Sequence, residues 1–360
     1  VYTHGNFDAH IRHIRAHFDI TADEIDLPTF PLIALFDPAL GMTAIIPDMD
    51  PTKPARVDPQ KIIEPIMNHG VTYMFASPAL LNRVGKYGKR KGIKLPSLRR
   101  VISAGAPVSP ANIDQFSGML SEKAEIHTPY GATEAVPIIS IASNEILSET
   151  RSLSEKGYGT CIGRPINDIN VQIIKTTDDP ITQWSPALLV QDGEVGEIAV
   201  KGDLVTRQYF DRPGDDALAK IKDGDEIWHR MGDLAWKDTK GRFWFCGRKS
   251  HRVITEDETL YSIPCEAIFN NHPRVFRSAL VGVGPLKQQK PVICIELEQT
   301  DAGRDKETLL KELLEFAKSS EHTKNIETVL FHKAFPVDIR HNSKIFREKL
   351  AVWAEKQLYK

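Results

Sequence analysis

Within five residues, Tyr130-Gly131-Ala132-Thr133-Glu134 supplies an aromatic face, a flexible glycine, a hydroxyl and a carboxylate. Those types suit, in turn, a stacked ring, close backbone approach, a hydrogen bond to an anionic oxygen and a hard oxygen ligand for Mg²⁺. A second loop, Ser103-Ala104-Gly105-Ala106-Pro107, has the glycine but no charge. Both follow the carboxyl ends of predicted strands, the edge of an open α/β sheet at which ligands sit. The same residues also describe two ordinary βα turns with a helix-capping threonine.

Met231-Gly232-Asp233 precedes an apolar strand, and Gly241-Arg242 with Gly247-Arg248 brackets a Phe-Trp-Phe run. An aspartate in a tight turn can accept from ribose hydroxyls, although hairpins use Gly-Asp for conformational reasons alone. Arg340, His341, Lys344 and Arg347 gather positive charge at the start of the last predicted helix, where the dipole is already positive. That placement suits a waiting anion or a solvated basic face. His10, His13 and His17 share one helical face, but no cysteine or nearby carboxylate completes a metal site. The basic run from Lys86 to Arg100 reads as a solvated surface loop.

The elements that must position these residues fall into three stretches. From 58 to 134 strands and helices alternate, which implies a mostly parallel sheet. Asp58-Pro59, Ser77-Pro78 and Ser109-Pro110 are helix starts, each a cap followed by proline. Ile62, Ile63, Ile66 and Met67 recur at helical spacing before Gly70. Val71 to Phe75, Val101 to Ser103 and Ala124 to His127 are the strands between them. Asn6 is the expected cap of a first helix. From about 160 to 249, short strands around 169–174, 196–202 and 242–246, separated by Gly, Asp and Pro turns, predict a barrel-like β part. Residues 250–360 predict a small α+β domain with two strands and amphipathic helices over roughly 305–320 and 343–358. The boundary falls at Lys249-Ser250. The fold class is therefore α/β, a large partial domain over 1–249 followed by a small one.

Bulk properties exclude rather than identify. The chain has 360 residues, 41% apolar and 26% charged, with a net charge of -2. Such a balance gives no global attraction to nucleic acid or an anionic membrane. The longest apolar stretch, Val136 to Ile141, is far short of the ~20 residues that span a bilayer. Cys161, Cys246, Cys265 and Cys294 are widely spaced and read as reduced core residues of a cytoplasmic protein. No Gly-x-Gly-x-x-Gly follows an early strand, which argues against a nicotinamide oxidoreductase.

Taken in order, SAGAP, YGATE, GEIAVKG, MGD and GR, with a final lysine, resemble the adenylate-forming superfamily of acyl-CoA synthetases, adenylation domains and luciferases. The resemblance implies an enzyme that activates a carboxylate with ATP and Mg²⁺. It implies an adenine-side loop at Gly105, Ala106 and Pro107, with Tyr130 and Gly131 against the base. It gives Thr133 a phosphate contact, Glu134 the Mg²⁺, Asp233 the ribose hydroxyls with Arg248 beside them, and Lys344 the bridge between carboxylate and α-phosphate. In this family V-x-x-T-H-x-N trails the loop that wraps the ATP phosphates, and Val1-Tyr2-Thr3-His4-Gly5-Asn6 is similar to that segment. The expectation is a chain lacking the family's N-terminal portion. Rotation of the small domain about Ser250 is a further implication.

Four residues depart from the family pattern. The hinge residue is Ser250 rather than Asp or Lys, Ser343 stands where a glycine precedes the lysine, and Glu258-Thr259 replace glycines that flank a pantetheine passage. The wording GRKSHRV, TLYSIPCEAIFNNHPRV and VDIRHNSKIFREKLAVWA is similar to the β-lactone-forming branch of bacterial olefin biosynthesis. That branch adenylates a 2-alkyl-3-hydroxy fatty acid, whose own hydroxyl then displaces AMP; His341 and His251 are candidate bases. Other enzymes of an olefin pathway are the implied partners. A fatty acyl-CoA synthetase and a non-catalytic nucleotide-binding fragment are the rival readings.

Overall fold

The computed structural model describes residues 1–298, 305–337 and 345–359. A five-stranded, wholly parallel sheet runs in the order β2 (Thr43–Ala44), β1 (Ile25–Pro28), β3 (Tyr73–Ala76), β4 (Arg100–Ser103), β5 (Glu125–His127). Alternation along each strand sends Met74, Val101 and Ile126 to one face and Tyr73 and Ile102 to the other. The first face packs on helices Gln60–His69, Pro78–Lys91 and Pro110–Ser117, whose Ile62, Ile66, Leu80, Leu81, Ile113 and Phe116 are buried. The second face meets Phe18, Ile11 and Ile14 of the first helix, His4–Phe18. Two of the expected proline starts are capped as read: Ser77 Oγ accepts from Leu80 N and Ser109 Oγ from Asn112 N.

An eight-stranded antiparallel sheet follows, β6 (Tyr130–Ala132), β7 (Ala135–Ser140), β8 (Thr160–Pro165), β13 (Phe243–Arg248), β12 (Glu226–Lys237), β10 (Gly196–Lys201) and β9 (Asn170–Ile174), with β11 (Lys220–Asp223) paired to β12. Beyond Arg248, a two-stranded ribbon of β14 (Val253–Ile254) and β15 (Thr259–Leu260) leads to a three-stranded sheet of β16 (Val275–Val283), β17 (Lys290–Leu297) and β18 (Val329–Phe331). Helices Ser262–Asn270, Lys306–Lys318 and Arg347–Leu358 pack on that sheet, burying Phe269, Leu309, Leu313 and Leu350. All four cysteines are buried and free.

Several expectations are corrected. The first helix is capped by Thr3, not Asn6; Asn6 is the reciprocal partner three residues on, its Oδ1 accepting from Thr3 N at 2.9 Å. Met67 is 61% exposed and lies off the apolar face. The first part of the basic run is no loop: Lys86 to Lys91 complete the helix Pro78–Lys91, because Gly85 and Gly88 face inward and let it approach Gln115 and Met119. The helix Ser262–Asn270 and strand β18 carry no clear period and escape the sequence reading. The last helix begins at Arg347. Lys344, with Arg340, His341 and Ser343, lies outside the described residues.

Candidate nucleotide site

The two glycine loops arise at one edge. β4 and β5 are parallel neighbours, Ile102 opposite His127, so the Ser103–Pro107 loop and the Thr128–Tyr130 segment leave the sheet side by side. Gly105 adopts φ +93°, a left-handed conformation that favours glycine, and leaves its loop exposed. The second loop is not a βα turn. Tyr130–Ala132 pairs with Ala135–Ser140 as a hairpin, and Thr133 and Glu134 form its tip. The apolar run after Glu134 is a strand rather than a helix, so Thr133 caps nothing and its side chain faces solvent. Gly131 is required there, since a Cβ would lie 2.6 Å from the Ala135 carbonyl oxygen.

Met231-Gly232-Asp233 is likewise not a turn before a strand. It sits inside the twelve-residue β12, with Gly232 at φ +66° and a register shift just beyond, at Leu234 and Ala235. This irregularity places Asp233 opposite Arg248 of β13 and beneath Tyr130. The Tyr130 hydroxyl donates to Asp233 Oδ2 at 2.5 Å. Arg248 Nε lies 3.1 Å from Oδ1 without hydrogen-bond alignment, so Oδ1 is buried with its acceptor capacity unused. An unsatisfied buried carboxylate oxygen is costly unless a donor arrives. Ribose hydroxyls are donors of the right kind.

Burial pushes the Asp233 carboxyl up to about 6, against the pull of Arg248 and Tyr130; the Glu197 carboxylate adds to the rise. Because the folded value exceeds the ordinary one of 3.8, ionising Asp233 costs stability as pH rises through about 6. A ligand that donates to the carboxylate favours the ionised form, so adenosine is expected to bind more weakly below that pH. The dissociation constant should rise on the order of tenfold between pH 7.5 and 5. Calorimetry on Asp233→Asn should give weak, pH-independent binding; an equal pH slope in the variant would exclude Asp233 as the source.

At the hairpin tip, Glu134 Oε1 accepts from the Tyr209 hydroxyl at 2.8 Å, and its backbone carbonyl accepts from Thr206 N at 2.9 Å. Burial raises the Glu134 carboxyl, but Tyr209, its own N–H, His229 and Lys220 outweigh that and hold it below its usual value. Among the described residues nothing donates to Oε2. One open carboxylate oxygen suits Mg²⁺, which takes one or two protein carboxylates and otherwise phosphate and water.

Sequence reasoning missed Tyr209, Lys220 and His229, which lie far along the chain from Glu134. It also missed a buried ionic cluster beneath Asp233. Arg230 donates to Glu197 Oε2 at 2.6 and 3.1 Å, and Lys249 Nζ reaches the same oxygen at 3.2 Å. The only signal was Glu197 within GEIAVKG and Arg230 beside MGD. The histidine trio has other work: His13 Nε2 bonds Asp203 Oδ1 at 2.8 Å, while His10 packs among Tyr2, Phe7 and Phe36. Arg347 is engaged by Glu266 at 2.7 Å and is no free anion ligand.

Residues 32–210 match the family described as AMP-binding enzyme. The chain is 46% identical to an olefin beta-lactone synthetase of Xanthomonas campestris, over 99% of this chain and 64% of that protein. It is 45% identical to one of Stenotrophomonas maltophilia, over 100% of this chain and 65% of that protein. The chain thus spans a little under two thirds of the length of these relatives. Among solved structures, an amide bond synthetase from Marinactinospora thermotolerans superimposes with a TM-score of 0.77 at 21% identity, covering 97% of this chain and 66% of that one. An O-succinylbenzoate coenzyme A synthetase from Bacillus subtilis, solved with ATP and magnesium ion, gives 0.73 at 21% identity, with the same coverage. These two share the fold. What the chain is similar to is thus the AMP-binding family, over residues 32–210, and, over nearly its whole length, the two olefin beta-lactone synthetases at 45–46% identity.

Proposed function

We propose that this chain carries the adenylating site of an AMP-forming acid ligase whose substrate is a fatty acid bearing a 3-hydroxyl and a 2-alkyl branch. The observation that carries the adenylating part is the open acceptor at Asp233 Oδ1, framed by Tyr130 and Arg248, together with the open oxygen of Glu134 at the tip of the same hairpin. Tyr130 and the Gly105–Pro107 loop would hold the base, Asp233 the ribose hydroxyls and Thr133 a phosphate oxygen. Glu134 would hold Mg²⁺ against the phosphates, and the ion would offset their charge. The substrate carboxylate oxygen attacks the α-phosphorus, the bond to the bridging oxygen breaks, and pyrophosphate leaves. A fixed ammonium at Lys344 would favour the negative charge that builds up there.

In the second step the 3-hydroxyl oxygen attacks the activated carbonyl, the bond to AMP breaks, and a base takes the hydroxyl proton. Tethering gives that hydroxyl a high effective concentration, so no second cosubstrate is needed. His251, half-buried just after the proposed pivot at Ser250, is one candidate base, and His341 is the other. The loop ahead of the helix Ser262–Asn270 supports an internal acceptor. Thr255 Oγ1 accepts from Asp257 N and Glu258 N, and Glu258 Oε1 accepts from Asn325 Nδ2 at 2.6 Å. The turn is therefore closed on itself and its carboxylate is tied to Asn325, unlike the bare backbone that glycines would leave there. The names of the relatives at 45–46% identity favour the same product. Coenzyme A ligation is the second reading, favoured by a feruloyl-CoA synthase at 28% and a long-chain-fatty-acid–CoA ligase at 25% identity.

Mass spectrometry separates the two. The whole protein, given ATP and a 2-alkyl-3-hydroxy acid, should yield AMP, pyrophosphate and a product lighter than the acid by one water. Coenzyme A should change nothing, and a thioester as main product would overturn the lactone reading. Other pathway enzymes are proposed partners. Among the described residues no helix is long and apolar enough to cross a membrane, and a cytoplasmic setting belongs to the same proposal.

A further inference from the structure

Glu134 sits half-buried at a hairpin tip, and a carboxylate that is to hold a cation beside phosphates must keep one direction. Two tethers fix it, the Tyr209 hydroxyl on Oε1 and Thr206 N on the backbone carbonyl. Both lead to the same side chain. Lys220 Nζ donates to the Thr206 carbonyl oxygen and lies 3.5 Å from Thr206 Oγ1. Its ammonium also stands 5.4 Å from the centroid of the Tyr209 ring, within cation–π range.

We propose that Lys220 is a positioning residue for the metal-holding carboxylate, the post to which both tethers of Glu134 are anchored. The proposal rests on the reading of Glu134 as the residue that holds Mg²⁺. β11 is aimed by its pairing with β12: Lys220 lies opposite His229, whose Nδ1 is 3.2 Å from the Ala219 carbonyl oxygen. Burial, then the charge of Lys220, pushes the His229 imidazole down to about 4. It is therefore neutral near pH 7. Burial pushes the Lys220 ammonium itself down to about 8, against the pull of Glu134 and Asp216, so it keeps its positive charge behind Glu134 near pH 7. Asp216 completes the frame by accepting from Tyr209 N at 2.8 Å. Lys220 touches no site at which substrate is proposed to react; it acts on Glu134 through Thr206 and Tyr209, and through its charge, which helps to hold the Glu134 carboxyl down.

The test measures Mn²⁺, a spectroscopic substitute for Mg²⁺, bound to the whole protein with ATP, by electron paramagnetic resonance. Glu134→Gln serves as the control. Lys220→Met, which removes both donor and charge, should raise the Mn²⁺ dissociation constant about tenfold, while the KM for the fatty acid stays within about twofold. Lys220→Gln keeps an N–H for Thr206 and should fold even if Lys220→Met does not; it should raise the constant about threefold. Lys220→Arg, which restores the charge over Tyr209, should recover most of the loss. Weakened Mn²⁺ binding in Glu134→Gln with unchanged binding in Lys220→Gln and any folded Lys220→Met would overturn the proposal. Unchanged binding in Glu134→Gln would instead remove the reading of Glu134 on which it rests.

Discussion

Lys344→Ala in the whole protein is expected to slow acyl-adenylate formation by a factor on the order of 10² to 10³. Carboxylate attack adds negative charge at the α-phosphate, and an ammonium fixed beside it acts more strongly on the transition state than on the ground state. Nucleotide affinity should change little, because the proposed contacts Tyr130, Asp233 and Glu134 all precede Ser250. The neighbouring charges cannot stand in for it equally. Arg347 is tied to Glu266 at 2.7 Å, so its guanidinium is already committed to the small domain's core. Single-turnover pyrophosphate release, with AMP affinity measured by calorimetry, checks both halves. An unchanged rate would remove Lys344 from the chemistry, and a parallel loss of AMP binding would make it a binding residue.

Glu197→Ala should cost about 3–5 kcal/mol of local stability in the β-rich part. Its side chain is 1% exposed and that of Arg230 2%. Arg230 spends its remaining donors on the carbonyls of Thr177, Asp179 and Leu218, so it cannot swing out to water when its partner goes. Lys249 would face the same pocket, leaving a buried guanidinium and a partly buried ammonium without a counter-ion. Hydrogen exchange of β10 and β12 amides reads this locally, which avoids treating a multi-part chain as two-state. Glu197→Gln, which keeps acceptors for Arg230, should cost less. Exchange in Glu197→Ala matching the unaltered protein would show the cluster to be dispensable. The same cluster bears on the proposed pivot: Lys249 is tied to Glu197, so the proposed rotation would begin at Ser250.

Much of the architecture was legible because local rules and tertiary packing agreed. The Ser-Pro starts at Ser77 and Ser109 are satisfied within their own first turns, so no distant contact was needed to find them. The helical spacing of Ile62, Ile63 and Ile66 likewise states which face is buried. Site residues carried by short motifs, Gly105 to Pro107, Tyr130 to Glu134, Asp233 and Arg248, were nameable from order and type, and Tyr130, Asp233 and Arg248 do meet.

What failed did so where sequence distance hid the decisive contact. Tyr130–Glu134 has the composition of a βα turn, and only pairing with β7 makes it a hairpin. Met231-Gly232-Asp233 has the composition of a turn, and only the ladder with β10 and β13 keeps it inside β12. By itself, then, the sequence determined the repertoire of side chains, the helix starts at Ser77 and Ser109, most of the core faces and the family resemblance. Tertiary structure alone decided which carboxylate oxygens stay open, because that depends on Tyr209, from a loop, and Arg248, from β13, arriving beside them. Hydrogen-bond satisfaction is a property of three-dimensional neighbours, and no spacing along the chain encodes it.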